Sequence, residues 1–164
     1  MLRARLFGGL AVWVDDRPVP EIGGVKPRSL FAYLLVNAGA HPRARLAGRF
    51  WPDVLDTSAR GSLRSALWAI RSALEAAGGG SLLVADRLGG GLDPDRGLDV
   101  DAREFERLLA AGDDTSLQRA VLIGAEPLLP DIPDEWVLDA QYRHRDRMID
   151  ALSSLARAAE SAGD

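Results

Sequence analysis

Residues 56–77, DTSARGSLRSALWAIRSALEAA, constrain the fold more than any other stretch of the chain. Leu63, Leu67, Ile70 and Leu74 recur at helical spacing and fall within about 60° of one another on a helical wheel, so they form an apolar stripe that needs a partner surface. Arg60, Arg64 and Arg71 run beside that stripe and Trp68 stands at its outer edge. Ser65, Ala69 and Ser72 complete the solvent side. Asp56, Thr57 or Ser58 can cap the start of this helix. Gly78-Gly79-Gly80 stops it.

The flanking sequence supplies the partners. Residues 2–7, LRARLF, and 10–14, LAVWV, are separated by Gly8-Gly9 and followed by Asp15-Asp16 and a short stretch near Val19, the pattern of a small antiparallel sheet with tight turns. A first helix is expected from about Pro27, which suits a first helical turn because its missing N–H has no intrahelical partner there. Leu30, Phe31, Leu34 and Leu35 make its apolar face, and Asn37 and Gly39 end it. A short second helix follows Pro42, with Leu46 and Phe50 one turn apart. Residues 81–93, SLLVADRLGGGLD, read as a hairpin turning at Asp86-Arg87 with a weak return strand, and 94–100 as a linker. From Asp101 onward the pattern is helical only: DAREFERLLAAG with Phe105, Leu108 and Leu109 inward, then SLQRAVLIG, a proline-rich loop, and a long helix from about Asp134 anchored by Trp136, Met148, Ile149, Leu152 and Leu155. The expected class is α+β, with a unit at 1–93 and an all-helical one at 101–164.

Charge divides the chain in the same way. The net charge is −4, yet residues 1–75 carry eleven basic and six acidic side chains while residues 76–164 carry nine and eighteen. A basic unit joined to an acidic one is the reading that fits. Hydrophobic residues make up 47% of the chain, enough for a real core. No apolar run approaches the roughly 20 residues needed to span a bilayer, and the first residues have too short an apolar centre for a signal peptide. With no cysteine there are no disulfides or thiolate metal sites, and a cytoplasmic protein is expected.

Catalytic chemistry is thin. His41 and His144 have no ligand-spaced companions and read as surface residues. Gly89-Gly90-Gly91 lacks the GK[ST] of a phosphate loop. Asp93, Asp95, Asp99 and Glu104 have the acidity of a calcium loop, but Leu98 stands where that loop needs glycine, so an acidic linker is the better reading. No nucleophile–base pair is evident; no enzyme activity, metal or cofactor is expected.

A sheet, three helices and a hairpin, with the third helix longest and edged by arginine, is the order of a winged helix-turn-helix. In that arrangement a helix enters the major groove, where base edges differ, and neighbouring elements hold phosphates. An amphipathic helix with a solvated basic edge has the same periodicity, so periodicity alone does not separate the two.

The stretches KPRSLFAYLLVNAG, RARLAGRFWPD, SARGSLRSALWAIRSALEAAG and LLVADRLGGGLDPDRGLDVDAREFERLL, followed by LLPDIPDEWVLDAQYRHRDRMIDAL, resemble in order the bacterial transcriptional activators of the SARP class. Residues 2–100 resemble their OmpR-type winged helix, and residues 101–164 the start of the helical, tetratricopeptide-like bacterial transcriptional activator domain. The resemblance implies a regulator that binds double-stranded DNA at promoter repeats, pairs as a homodimer and contacts RNA polymerase, with no membrane association. It also implies that the chain continues past its last helix, or that this helix packs back on the sheet or on a second copy. Carried over by position, Gly61, Arg64, Ser65 and Trp68 face bases, Arg60 and Arg71 lie nearer phosphates, and Arg28 and Arg49 are candidate phosphate contacts. Arg87 is the one basic residue of the wing. Trp68 has two readings, a contact to a thymine methyl or sugar and a structural role, as cover for the core rim or in a protein interface, with the structural one preferred. The glycines of the wing suggest a flexible hairpin with little to offer a groove. That feature, with the acidic second half and the sparse base-facing side chains at Gly61, Ser65 and Ala69, supports the alternative of a winged helix without DNA affinity that serves as a protein-interaction or regulatory module.

Overall fold

The computed structural model describes residues 1–163. It is a mixed α/β chain with six α-helices and two small sheets among those residues. The strands β1 (Leu2–Arg5), β2 (Ala11–Val14), β3 (Arg17–Pro18) and β7 (Leu98–Val100) form one sheet in the order β3-β2-β1-β7. The β2–β3 hairpin turns at Asp15 and Asp16, both at positive φ, 46° and 66°. A two-residue loop with both centres left-handed matches the twist of the flanking strands, and aspartate tolerates that conformation better than most side chains. The stretch 94–100, expected to be a linker, holds a 3-10 turn at Pro94–Arg96 and then β7.

The chain divides into two compact units. The first comprises Met1–Ala4 and Ala11–Leu98, and the second Arg5–Leu10 with the chain from Asp99 on. In the first unit α1 (Val25–Val36), α2 (Arg43–Phe50) and α3 (Asp56–Ala76) pack together, with α3 against both partners. The expected stripes meet in this core: Leu30, Phe31, Leu34 and Leu35 of α1 and Leu63, Leu67, Ile70 and Leu74 of α3 are all buried. A second sheet, β4-β6-β5, joins β4 (His41–Pro42) to the hairpin of β5 (Leu83–Ala85) and β6 (Gly89–Leu92).

That hairpin explains the glycine triplet, and corrects the expectation of a flexible wing. Gly89 and Gly90 pair with Pro42 and His41. A Cβ on Gly91 would lie 1.8 Å from the Gly39 carbonyl oxygen, and one on Gly89 2.7 Å from that of His41. A Cβ on Gly90 would meet Leu67 of α3 at 3.4 Å. Glycine is required for space at 89 and 91, where the backbone of residues 39–41 approaches β6 more closely than a side chain allows, whereas at Gly90 the added Cβ would make ordinary contact with Leu67.

The second unit holds α4 (Asp101–Ala111), α5 (Asp114–Ile123) and α6 (Glu135–Gly163), with α5 packed against both α4 and α6. Gly112, at φ 73°, closes α4, and the Asp113 carboxylate caps α5 through the Ser116 N–H at 2.9 Å. The segment 5–10 is tied in by Asp101, which accepts from the N–H groups of Leu6 and Phe7 at 2.9 and 3.1 Å. Burial raises the Asp101 carboxyl above its ordinary pKa, against the opposing pull of these amides. Phe7 reaches the helices edge-on to Phe105, with ring centroids 5.6 Å apart.

Two expectations about α6 need correction. Trp136 is buried, but Ile149 and Leu152 are 54% and 48% exposed, and the contact line is drawn by Trp136, Val137 and Ala151. A small alanine at the close contact lets α6 approach, and the larger side chains one step round the helix then point away. His144 is also no surface residue. Its ring packs tilted against Phe7 and Phe105, with centroids at 4.8 and 4.9 Å, and its Nε2 hydrogen-bonds the Gly124 carbonyl at 2.9 Å. Burial lowers its pKa below the usual imidazole value.

Candidate nucleic-acid interface

The first unit carries an open groove of about 440 Å³ where the start of α2, the first turns of α3 and the β5–β6 turn converge. Arg43, Arg60, Arg64 and Arg87 line it, together with Pro42, Ala44, Thr57, Gly61, Leu63 and Leu88. None of these side chains is acidic. Arg60, Arg64 and Arg87 are exposed and Arg43 is half-buried. Four guanidiniums over one concavity, with Asp86 the one carboxylate coupled to Arg43 beside it, give a local positive potential in a chain whose net charge is negative.

The groove is held by hydrogen bonds between its walls. The Arg43 N–H donates to the Leu88 carbonyl at 3.0 Å, and its guanidinium Nε donates to the Asp86 carbonyl. The hairpin turn is closed from within. Asp86 donates its N–H to the Gly89 carbonyl at 2.9 Å, and its carboxylate accepts from Leu88 and Gly89 at 2.7 and 2.9 Å. Those two amides, with Arg43 nearby, hold the Asp86 carboxyl below its ordinary pKa. The turn therefore presents Arg87 outward, beside Leu88, which is 83% exposed. At the other wall α3 begins directly after Leu55, and no side chain caps it, in place of the cap expected from Asp56, Thr57 or Ser58. Uncapped first-turn N–H groups and the helix dipole favour an anion at this wall, while the Asp56 carboxylate in the same turn opposes one.

Of the residues expected from sequence, Arg60, Arg64 and Arg87 come together in the groove, with Gly61 between them. Ser65 and Trp68 lie exposed farther along α3, and Arg71 is half-buried beyond them. Trp68, at 69% exposure, does not serve as a cover for the core rim. Arg28 does not line the groove; it pairs with Glu21 at 3.9 Å at the start of α1. Arg49 is also elsewhere, 5.1 Å over the Tyr33 ring. Arg43 and Thr57 were not expected. The signal available for Arg43 was its place immediately after Pro42, at a helix start, but its hairpin partner lies 43 residues away. Among the described residues no cluster of three or more His, Asp or Glu side chains could hold a metal, and no helix is long and apolar enough to cross a membrane.

No protein-family model matches the sequence, and no curated protein is significantly similar to it. Among solved structures the chain is similar to Mycobacterium tuberculosis EmbR in complex with a low-affinity phosphopeptide, with a TM-score of 0.80 and 25% identity. The superposition covers 99% of this chain and 46% of EmbR, so the chain spans less than half the length of that neighbour.

Proposed function

We propose that the chain belongs to a DNA-binding transcription regulator, with the first unit a winged helix and the second the opening of a tetratricopeptide-like helical domain. The observation that carries this reading is the arginine groove. A duplex presents a phosphate charge every ~1.7 Å of axis, and an open concavity of four guanidiniums suits that ligand. An exposed helix face such as that of α3 beside the groove suits a major groove, and the neighbouring β5–β6 turn with Arg87 suits a wing contact to the adjacent backbone, which supports this reading. The fold likeness to EmbR supports a relationship to regulators of the SARP class and a regulatory role. A second copy and RNA polymerase are partners proposed from the sequence resemblance. The alternative of an interaction module without DNA affinity, which rests on the acidic second half, the wing glycines and the sparse base-facing side chains, is not favoured by the likeness to EmbR.

Fluorescence anisotropy on a duplex selected from a random pool, repeated across a salt series, tests the proposal. Arg60→Ala should lower the slope of log affinity against log salt by roughly one and leave base preference intact. Absence of binding by the folded, unmodified chain even at low salt overturns the reading.

A further inference from the structure

α3 carries one large apolar side chain on its outward face. Trp68 is 69% exposed, whereas tryptophan is highly buried on average. It stands one helical turn beyond Arg64 and two beyond Arg60. Its neighbours on that face, Gly61, Ser65 and Ser72, are small, so the indole projects past them. Three cations, Arg60, Arg64 and Arg71, flank it against one carboxylate, Glu75. A polyanion suits such a surround better than the same face of a second copy, which would oppose arginine to arginine.

We propose that Trp68 determines specificity by packing its indole on the C5-methyl of a thymine in the major groove. This rests on the DNA-binding reading above and names what the α3 face selects. Thymine alone places a methyl group on that edge of the duplex; the other bases present donors and acceptors there. An indole face over an amino or carbonyl edge leaves that group desolvated without a partner, so Trp68 discriminates against the other bases as well as favouring thymine. The arginines supply the electrostatic hold, and Trp68 supplies a contact that salt does not screen.

The test uses the full chain on a duplex selected from a random pool, with each thymine replaced in turn by deoxyuridine, which lacks only the methyl. The unmodified protein should lose about fourfold in affinity at one position, the worth of one buried methyl group. Trp68→Ala should bind more weakly than the unmodified protein, be indifferent to that same replacement and keep the salt slope, since no charge is lost. Because the side chain is exposed, the variant should fold, and circular dichroism checks this. Selected sites without thymine, retained deoxyuridine sensitivity in Trp68→Ala, or unchanged affinity of that variant would each overturn the proposal. So would a smaller oligomer for Trp68→Ala in sedimentation at equal concentration, which assigns the indole to a protein interface. Failure of the unmodified chain to bind any duplex at low salt refutes the DNA reading itself, and is distinct from these outcomes because each of them starts from a measured complex.

Discussion

Replacing Gly91 by alanine should open the hairpin from β4. The added Cβ would sit 1.8 Å from the Gly39 carbonyl oxygen and 2.8 Å from its carbon. A carbon–oxygen contact relaxes at about 3.3 Å, so the two backbones must part by roughly 1.5 Å. Both partners are main chain, and no rotamer change relieves the overlap. The Gly39 N–H bond to the Leu92 carbonyl, 2.9 Å long, is lost over that displacement. Overpacking costs about 1–3 kcal/mol and the hydrogen bond about 1 kcal/mol, which together come to about 3 kcal/mol. At a urea slope of about 2 kcal/mol/M this is a midpoint lowered by about 1.5 M. The same change at Gly89 should cost less, and at Gly90 least, following contacts of 2.7 and 3.4 Å. At Gly61 no atom lies within 4 Å, so alanine there should stabilise α3 by about 0.5–1 kcal/mol through helix propensity. Urea denaturation followed by circular dichroism gives the midpoints, and hydrogen exchange at the Gly39 amide reports the local opening. A Gly91→Ala midpoint equal to that of the unmodified chain, or Gly61→Ala the more damaging of the two, would falsify the close-approach account.

Three further outcomes are expected. Leu67→Ala removes a buried side chain shared by α3 and Gly90, and should cost about 2–5 kcal/mol in the same assay. Arg64→Ala should relax preference at one base pair, at about 1–3 kcal/mol, whereas Arg71→Ala should flatten the salt dependence alone; anisotropy on a panel of single-base variants separates them, and equal effects at every base pair for Arg64→Ala would count against a base contact. His144 has a folded-state pKa below its unfolded value, so its contribution is present above the ordinary imidazole pKa and is lost as the pH falls through the window between that value and the lowered folded one. Over that window unfolding free energy should drop for the unmodified chain and change less for His144→Gln; parallel curves would show that the half-buried imidazole is not the group responsible.

The first unit was legible because its core is local in period. Leu30 to Leu35 and Leu63 to Leu74 each announce a stripe, and each stripe is buried. What escaped was set by partners distant in sequence or by small residues. Asp101 looks like one more acid at a helix start, and only the arrival of Leu6 and Phe7 makes it a clamp. Ala151 carries no apolar signal to compare with Ile149 or Leu152, yet it marks the contact side of α6. His144 reads as an isolated polar side chain until Phe7 and Phe105 close on it. Arginine spacing on α3 anticipated that Arg60 and Arg64 share one face, and both line the groove, whereas Arg28 and Arg49 find other partners in Glu21 and Tyr33. Spacing tells which face of a helix a cation occupies, but not which neighbour claims it.

The Asp86–Gly89 turn closes through its own amides and carboxylate, and the glycines behind it are fixed by β4 and α3. Positions 87 and 88 thus form a two-residue cassette whose side chains take no part in the fastening. A library confined to that cassette can redraw the hairpin's contact surface while the scaffold stays constant, whereas diversity placed at 89 and 91 would be spent on chains that no longer close. Descent with modification faces the same partition, so members of a lineage sharing this hairpin should differ at its tip and agree in its stem.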